Sequence, residues 1–248
     1  KLYDILKKLN LKVSTAKKFY KSQFDEKIIL EKKTQLLTKK SRKLILEEAI
    51  ENEQDLVIFD DGLQDLSLSY DMEFVCFDTD NFIGNGRLIP SGPLREKLSS
   101  LKKYDCVFLK SDNQILPDQI DLLKMHNPNI KIFETYLEII NLNEFELSKN
   151  YLILSGIGNS NSFRNILLKN NFNIVEEIIF PDHYNYKKKE LDKIIEKAKN
   201  LNAKIITTEK DYVRIEKLNI TNIKYIEVQL KIKNEKILVD FLKAKIYE

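Results

Sequence analysis

A chain of 248 residues, 43% hydrophobic and 32% charged, is long enough to bury a substantial core and has an ordinary globular composition. Its 41 basic and 38 acidic residues leave a formal charge of only +3 and alternate along most of the sequence, which argues against a nucleic-acid groove. No segment reads as a signal peptide or a bilayer span, and two cysteines, Cys76 and Cys106, do not make a disulfide scaffold, so a reducing, cytosolic setting is expected.

Residues 2–9 place Leu2, Ile5, Leu6 and Leu9 on one helical face. No N-cap precedes them, so the helix is expected to begin upstream of Lys1. Leu11–Thr15 predicts a short strand, and a basic stretch from Lys17 to Lys21 carries Phe19 and Tyr20. Ser22 and Asp25 have the spacing of a capping box for the helix through Ile28, Ile29 and Leu30. A further helix over 42–52 should turn Leu44, Ile45 and Ala49 inward.

Asp55–Phe59 is a continuous apolar strand that runs into Asp60 and Asp61. Runs of this type recur at 73–77, 105–109 and 130–133, with a helix over 119–125. Apolar runs alternating with helices predict parallel strands covered on both faces, hence an α/β doubly wound sheet. Residues 134–150 change character, and the domain boundary is placed there. The pattern then restarts: a strand at 151–155, the turn Gly156-Ile157-Gly158-Asn159, and a helix over 160–168 capped by Ser160 or Ser162. A strand at 174–180 ends in Pro181-Asp182-His183-Tyr184. Helix 187–201, strand 204–207 entering Thr208-Glu209-Lys210-Asp211, strand 223–229 and helix 236–246 complete the chain.

Glycine is scarce, six in all. Four of them, Gly62, Gly84, Gly86 and Gly92, fall between 60 and 96, and the other two are Gly156 and Gly158. Glycine admits positive φ and close backbone approach, so both clusters are expected to face a ligand. Ligands of open α/β sheets bind beyond the carboxyl ends of the strands, where Asp60, Asp61, Gly156, His183 and Thr208 all fall.

Each candidate has a plain structural alternative. Four apolar residues before Asp60-Asp61 resemble a Walker B strand, whose carboxylate holds Mg²⁺ on nucleotide phosphates, but Asp-Asp-Gly is also good turn chemistry. Arg87, Arg95 and the glycines around them suit phosphate contact, or form a structural loop with surface arginines. His183 can take or orient a proton near neutrality, or be a satisfied structural side chain. His126, beside Asn127-Pro128, reads as a loop residue. No His/Cys/Asp spacing suggests zinc, and there is no nucleophile elbow. A G-x-x-x-x-G-K-[ST] run does not occur, because the first glycine is Gly62; if the first helix begins before Lys1, that phosphate-binding loop belongs at its N-terminal end.

DDGLQD, GNGRLIPSGPLRE, SGIGN, FPDH and TTEKD, in this order and at these separations, resemble the tetraacyldisaccharide 4′-kinases, the lipid A 4′-kinases of Gram-negative bacteria. The resemblance runs from the first helix to about residue 215, and the long glycine-proline-arginine motif is its most specific part. It implies two doubly wound α/β/α lobes of P-loop NTPase type: a lobe over 1–136, a linker over 137–150 and a lobe over 151–248. It implies transfer of the γ-phosphate of ATP to the 4′-hydroxyl of a lipid A precursor disaccharide, peripherally at the cytosolic face of the inner membrane and without nucleic acid.

By position, the resemblance makes Asp60 and Asp61 the Mg²⁺ pair, Asp25 the acid that takes the sugar hydroxyl's proton, and His183 its partner. Arg95 and Glu96 become a pair at the cleft. Arg87, Gly156 and Gly158 join them as expected ATP contacts. In this division Asp25 and His183 come from different lobes. The chain departs from the family pattern in three ways. The P-loop is absent, so the chain as it stands is expected to be inactive. Leu63 and Asp65 stand where the family usually has Phe and His. The basic stretch over 17–20 replaces an Arg-Gly-Tyr-Gly-like loop. A P-loop kinase for another sugar or a nucleoside, and a non-catalytic phosphate-binding module, are the rival readings.

Overall fold

A computed structural model describes residues 1–20, 24–111 and 115–247. Ser22 of the expected capping box lies outside the described residues. The elements are α1 (Leu2–Lys7), β1 (Val13–Lys18), α2 (Phe24–Lys33), β2 (Leu36–Lys39), α3 (Arg42–Glu51), β3 (Leu56–Phe59), β4 (Phe74–Asp78), β5 (Cys106–Lys110), α4 (Pro117–His126) and β6 (Lys131–Ile139). They continue with β7 (Asn150–Ser155), α5 (Ser160–Lys169), β8 (Asn173–Ile179), α6 (Lys188–Asn200), β9 (Ala203–Thr208), α7 (Glu209–Glu216), β10 (Ile223–Ile226), β11 (Val228–Ile232) and α8 (Glu235–Tyr247). The α/β class expected from the alternating pattern is the class observed.

Packing divides the chain into two units, one of residues 1–68 with 139–229, the other of 69–138 with 230–248. This division differs from the sequence boundary at 137–150. Strand β6 continues to Ile139, into the stretch read as a linker. Asn141 is then tied down, donating to Tyr225 O (3.1 Å) and accepting from Glu227 N (2.9 Å).

The first unit contains two parallel sheets, ordered β2-β1-β3 and β10-β9-β7-β8. Ala16, Leu37, Ile45 and Ala49 form the core of the first sheet; Leu152, Leu154, Leu191, Ile194 and Ile205 are central to that of the second. In α6, Leu191, Ile194 and Ala198 are buried at the i, i+3, i+7 spacing of one helical face. The second unit holds the sheet β11-β6-β5-β4, in which β4, β5 and β6 are parallel, over a core that includes Leu101, Val107, Leu109 and Leu123.

Several local expectations are corrected. Leu44 is 47% exposed, while Ile45 and Ala49 face the core. Asn159, not a serine, caps α5, accepting from Ser162 N at 3.0 Å. The single strand expected over 223–229 is two, β10 and β11, separated at Glu227. Thr208-Glu209-Lys210-Asp211 opens helix α7, capped by the Thr208 hydroxyl, which accepts from Asp211 N. Among the described residues no helix is long and apolar enough to cross a membrane.

Candidate active site

The site of the first unit lies where parallel strands end. Because β1 and β3 run in register, with Ala16 opposite Phe59, the residues just beyond that pair come side by side. Asp60 N donates to Ala16 O (2.8 Å), and Lys17 Nζ donates to Asp60 Oδ2 (2.5 Å). Lys17 also reaches Glu26 Oε2 at 2.9 Å. Burial alone would lower the Lys17 pKa, but hydrogen bonds and charge from Asp60 and Glu26 outweigh it and raise it above its ordinary value.

The turn after β3 carries a second set of groups. Asp61 adopts φ +54° and turns the chain. Its carbonyl accepts from Arg42 Nη2, while Arg42 Nη1 donates to Asp65 Oδ2 at 2.8 Å. Hydrogen bonds from Ser67 and then from Arg42 hold the Asp65 carboxyl well below the usual carboxylate range. Asp65 is thus one half of an ion pair that fixes the turn after the two aspartates.

Helix α2 opens with Asp25 and Glu26, acids suited to a helix N-terminus. Asp25 is fully buried. A buried carboxylate must be paired, and its Oδ2 accepts from Arg214 Nη2. Asp25 Oδ1 has no hydrogen-bond partner among the described residues. His183 Nδ1 lies 3.7 Å from that oxygen, and Arg214 Nη2 lies 2.8 Å from the same Nδ1. His183 is held at φ +59°, a left-handed conformation, with its N–H donating to Gly156 O (3.2 Å) and to Asp182 Oδ1 (2.9 Å). Asp25 and His183, assigned to different lobes from the sequence, fall in one packing unit. The reason is the union of α2 with α7, where Lys33 bridges Glu209 (2.7 Å) and Glu227 (2.9 Å), and Lys217 sits 3.8 Å above the Phe24 ring.

Asp211 supports this arrangement from α7. It is fully buried and accepts from Gly156 N (3.0 Å), Tyr186 Oη (3.0 Å) and Thr208 Oγ1 (2.7 Å). Arg214 Nη1 lies 3.5 Å from Asp211 Oδ1 and 3.4 Å from Gly156 O. Burial, then the adjacent Asp211 charge, pushes the Tyr186 hydroxyl far above its ordinary pKa, so it remains a donor. At the outer edge Lys210 bridges Glu26 (3.0 Å) and Asp182 (3.7 Å).

Gly156 was expected to face a ligand, yet its backbone is committed inward. A Cβ there would lie 2.8 Å from Tyr186 Oη and 3.0 Å from Asp211 Oδ1, so this position needs glycine for packing. Gly158 is exposed beside Asp182.

Arg87, Arg95 and Glu96 belong to the second unit. Gly84 and Gly86 adopt φ +55° and +71°, conformations that favour glycine. A Cβ at Gly92 would come within 2.4 Å of Arg87 O. Asn85 braces the loop from inside, donating to Ser91 O (2.8 Å) and accepting from Arg87 N (3.1 Å). The Arg87 and Arg95 side chains are exposed. Glu96 engages the Tyr104 hydroxyl, whose pKa is raised by burial and by that hydrogen bond.

Asp60 and Asp61 offer two hard oxygen donors at a strand end. Among the described residues no group of three or more His, Cys, Asp or Glu gathers into a metal cage. Mg²⁺ at nucleotide sites does not require one, since it uses one or two carboxylates completed by phosphates and water. The pair therefore fits such an ion. Sequence reasoning missed Lys17, Glu26, Lys210, Asp211 and Arg214. The signals were the acid adjoining Asp25 and the i, i+3 pair formed by Asp211, the last residue of TTEKD, with Arg214.

A family model described as tetraacyldisaccharide-1-P 4′-kinase matches residues 7–247. The tetraacyldisaccharide 4′-kinase of Pelagibacter ubique (strain HTCC1062) is 45% identical over 242 residues, covering 98% of this chain and 77% of that protein. The protein of the same name from Rickettsia canadensis (strain McKiel) is 38% identical over 228 residues, covering 90% of this chain and 68% of its own length. A crystal structure of "apo" form LpxK from Aquifex aeolicus in complex with ATP matches with a TM-score of 0.68 at 20% identity, over 99% of this chain and 82% of that one. At that identity the likeness is one of fold.

Proposed function

The chain belongs to the tetraacyldisaccharide 4′-kinase family, and from that premise we propose that it transfers the γ-phosphate of ATP to the 4′-hydroxyl of a tetraacyldisaccharide 1-phosphate, a lipid A precursor. The observation that carries the assignment of roles is the fully buried Asp25 carboxylate, which keeps one oxygen unpartnered beside His183. A carboxylate held this way can accept the proton of an incoming hydroxyl as its oxygen attacks phosphorus in line. His183 orients the acceptor at that oxygen. Asp60 and Asp61 would hold Mg²⁺, which when bound neutralises phosphate charge and aligns the transferred group. Arg87, Arg95, Glu96 and Gly158 are proposed contacts for ATP; for Gly156 the committed backbone favours a structural part instead.

The fold reading that accompanies this function is two α/β/α lobes of P-loop NTPase type, supported by the parallel sheets and the likeness to the Aquifex structure. A substrate with four acyl chains resides in a bilayer, while ATP is cytosolic, which supports peripheral work at the cytosolic face of the inner membrane. The test is to incubate the full-length gene product with radiolabelled ATP, Mg²⁺ and tetraacyldisaccharide 1-phosphate in mixed micelles. The expected product is a bisphosphorylated disaccharide, formed far more slowly by Asp25→Asn. If the wild-type protein yields no such product, the reading fails.

A further inference from the structure

We propose that Arg214 is a positioning residue for phosphoryl transfer: it selects which oxygen of Asp25 acts as base and fixes the ring tautomer of His183. The inference rests on the kinase reading above for the role of Asp25, but not for the geometry.

A guanidinium has only donors, and each terminal nitrogen carries two hydrogens. Arg214 Nη2 uses one on Asp25 Oδ2 and the other on His183 Nδ1, at 2.8 Å from the latter. Nη1 faces Gly156 O at 3.4 Å and Asp211 Oδ1 at 3.5 Å. The group is 5% exposed, so these acceptors rather than water hold it.

Two consequences follow from hydrogen-bond accounting alone. First, the carboxylate is made asymmetric. Oδ2 is occupied by a charge-assisted bond, and Oδ1 is left as the open acceptor. Second, Nδ1 of His183 must present its lone pair to Arg214, so the ring proton sits on Nε2. Lys210 Nζ, 3.4 Å from Nε2, then faces a donor and makes no hydrogen bond to it, while Asp182 Oδ2 stands on that side at 3.8 Å, beyond hydrogen-bond reach. The 3.7 Å approach of Nδ1 to Asp25 Oδ1 is therefore a juxtaposition set by Arg214 and not a proton-sharing bond. The charged groups around the pair are Arg214, Asp211 and Lys210 from α7, Glu26 from α2, Asp182 before His183, and Lys17 beyond Glu26.

The experiment uses the full-length gene product as wild type, Arg214→Lys and Arg214→Met, with ¹⁵N-labelled histidine. The His183 signals are identified by their loss in His183→Gln. In the wild type the ring is expected as the Nε2–H tautomer, and in Arg214→Met as a mixture. In parallel, Arg214→Met should lower kcat on the order of 10²-fold, the scale expected for misplacing a general base. KM for ATP should change little. Arg214→Lys should recover part of kcat but not the pure tautomer, because one ammonium does not reproduce the fork. A wild-type ring protonated on Nδ1 would overturn the proposal whatever the kinase activity. So would an Arg214→Met protein whose kcat loss is accounted for by unfolded protein. If Arg214→Met does not fold, the tautomer and kcat of Arg214→Lys decide. Absence of kinase activity in the wild type, with the tautomer as expected, would count against the functional reading and leave the geometry standing.

Discussion

Asp25 Oδ1 and His183 Nδ1 stand 3.7 Å apart with one guanidinium nitrogen, Arg214 Nη2, bonded to both side chains. The acid and the imidazole thus share a neighbour rather than a proton. Asp25→Asn is expected to lower kcat by roughly 10²–10⁴ and His183→Gln by a smaller factor. Because both act on one proton transfer, the double variant should be little worse than Asp25→Asn alone. Steady-state kinetics on the three proteins check this, and multiplicative losses would separate the two residues.

Asp60 is half-exposed, its side chain 52% accessible at the end of β3, so it contributes little to the core. Asp60→Asn and Asp61→Asn should therefore melt within a few degrees of wild type. Turnover should drop and need more Mg²⁺ for half-saturation, since one hard oxygen ligand is lost. A Mg²⁺ titration of activity provides the comparison. Normal kcat and normal Mg²⁺ dependence in both variants would remove the metal assignment.

Asp211 is the acceptor at the centre of a buried network. Asp211→Ala leaves the Gly156 N–H, the Tyr186 hydroxyl and part of Arg214 unsatisfied in a buried setting. The expected loss is about 3–5 kcal/mol, as for breaking a buried charged network. Denaturant unfolding measures it. Asp211→Asn, which keeps an acceptor oxygen, should lose less.

Glu26 makes the acid limb of stability predictable. Burial opposes its ionisation, but hydrogen bonds and charge from Lys17 and Lys210 prevail and hold its pKa below its ordinary value of 4.5. A carboxyl lowered by folding adds stability above its unfolded pKa and loses that contribution as pH falls through the folded one. Glu26→Gln should be less stable than wild type at neutral pH. Its melting temperature should also change less between about pH 5 and pH 3. Thermal melts across that window test it; parallel curves would mean that Glu26 titrates alike in both states.

The parallel sheets were legible because runs such as Leu56–Phe59 and Tyr151–Ser155 are apolar without alternation, and the strand ends then picked out Asp60, Asp61 and His183. Helix α7 was missed, since its N-cap Thr208 sits at the end of a β-branched run that reads as strand until Asp211 is seen to accept from that hydroxyl. Arg214 was invisible for a different reason. Its partners lie at 25, 156, 183 and 211, and only the fold shows that these positions converge. At Gly156 the demand for glycine comes from tightness around Tyr186 and Asp211, neighbours 30 and 55 positions away that sequence alone does not bring together.

The bond between Asp25 and Arg214 spans 189 positions of sequence. A ribosome delivers residues one after another, at about 5–20 per second, so α2 is finished many seconds before its counter-ion exists. Until residue 214 emerges, burying the Asp25 carboxylate would leave a charge without a partner, and the N-terminal sheet must wait with that face open to water or to a chaperone. The order of synthesis therefore makes completion of the site one of the last folding events, and a chain cut short before α7 would hold both the sheet and the base yet have no means of bringing the base into a dry interior.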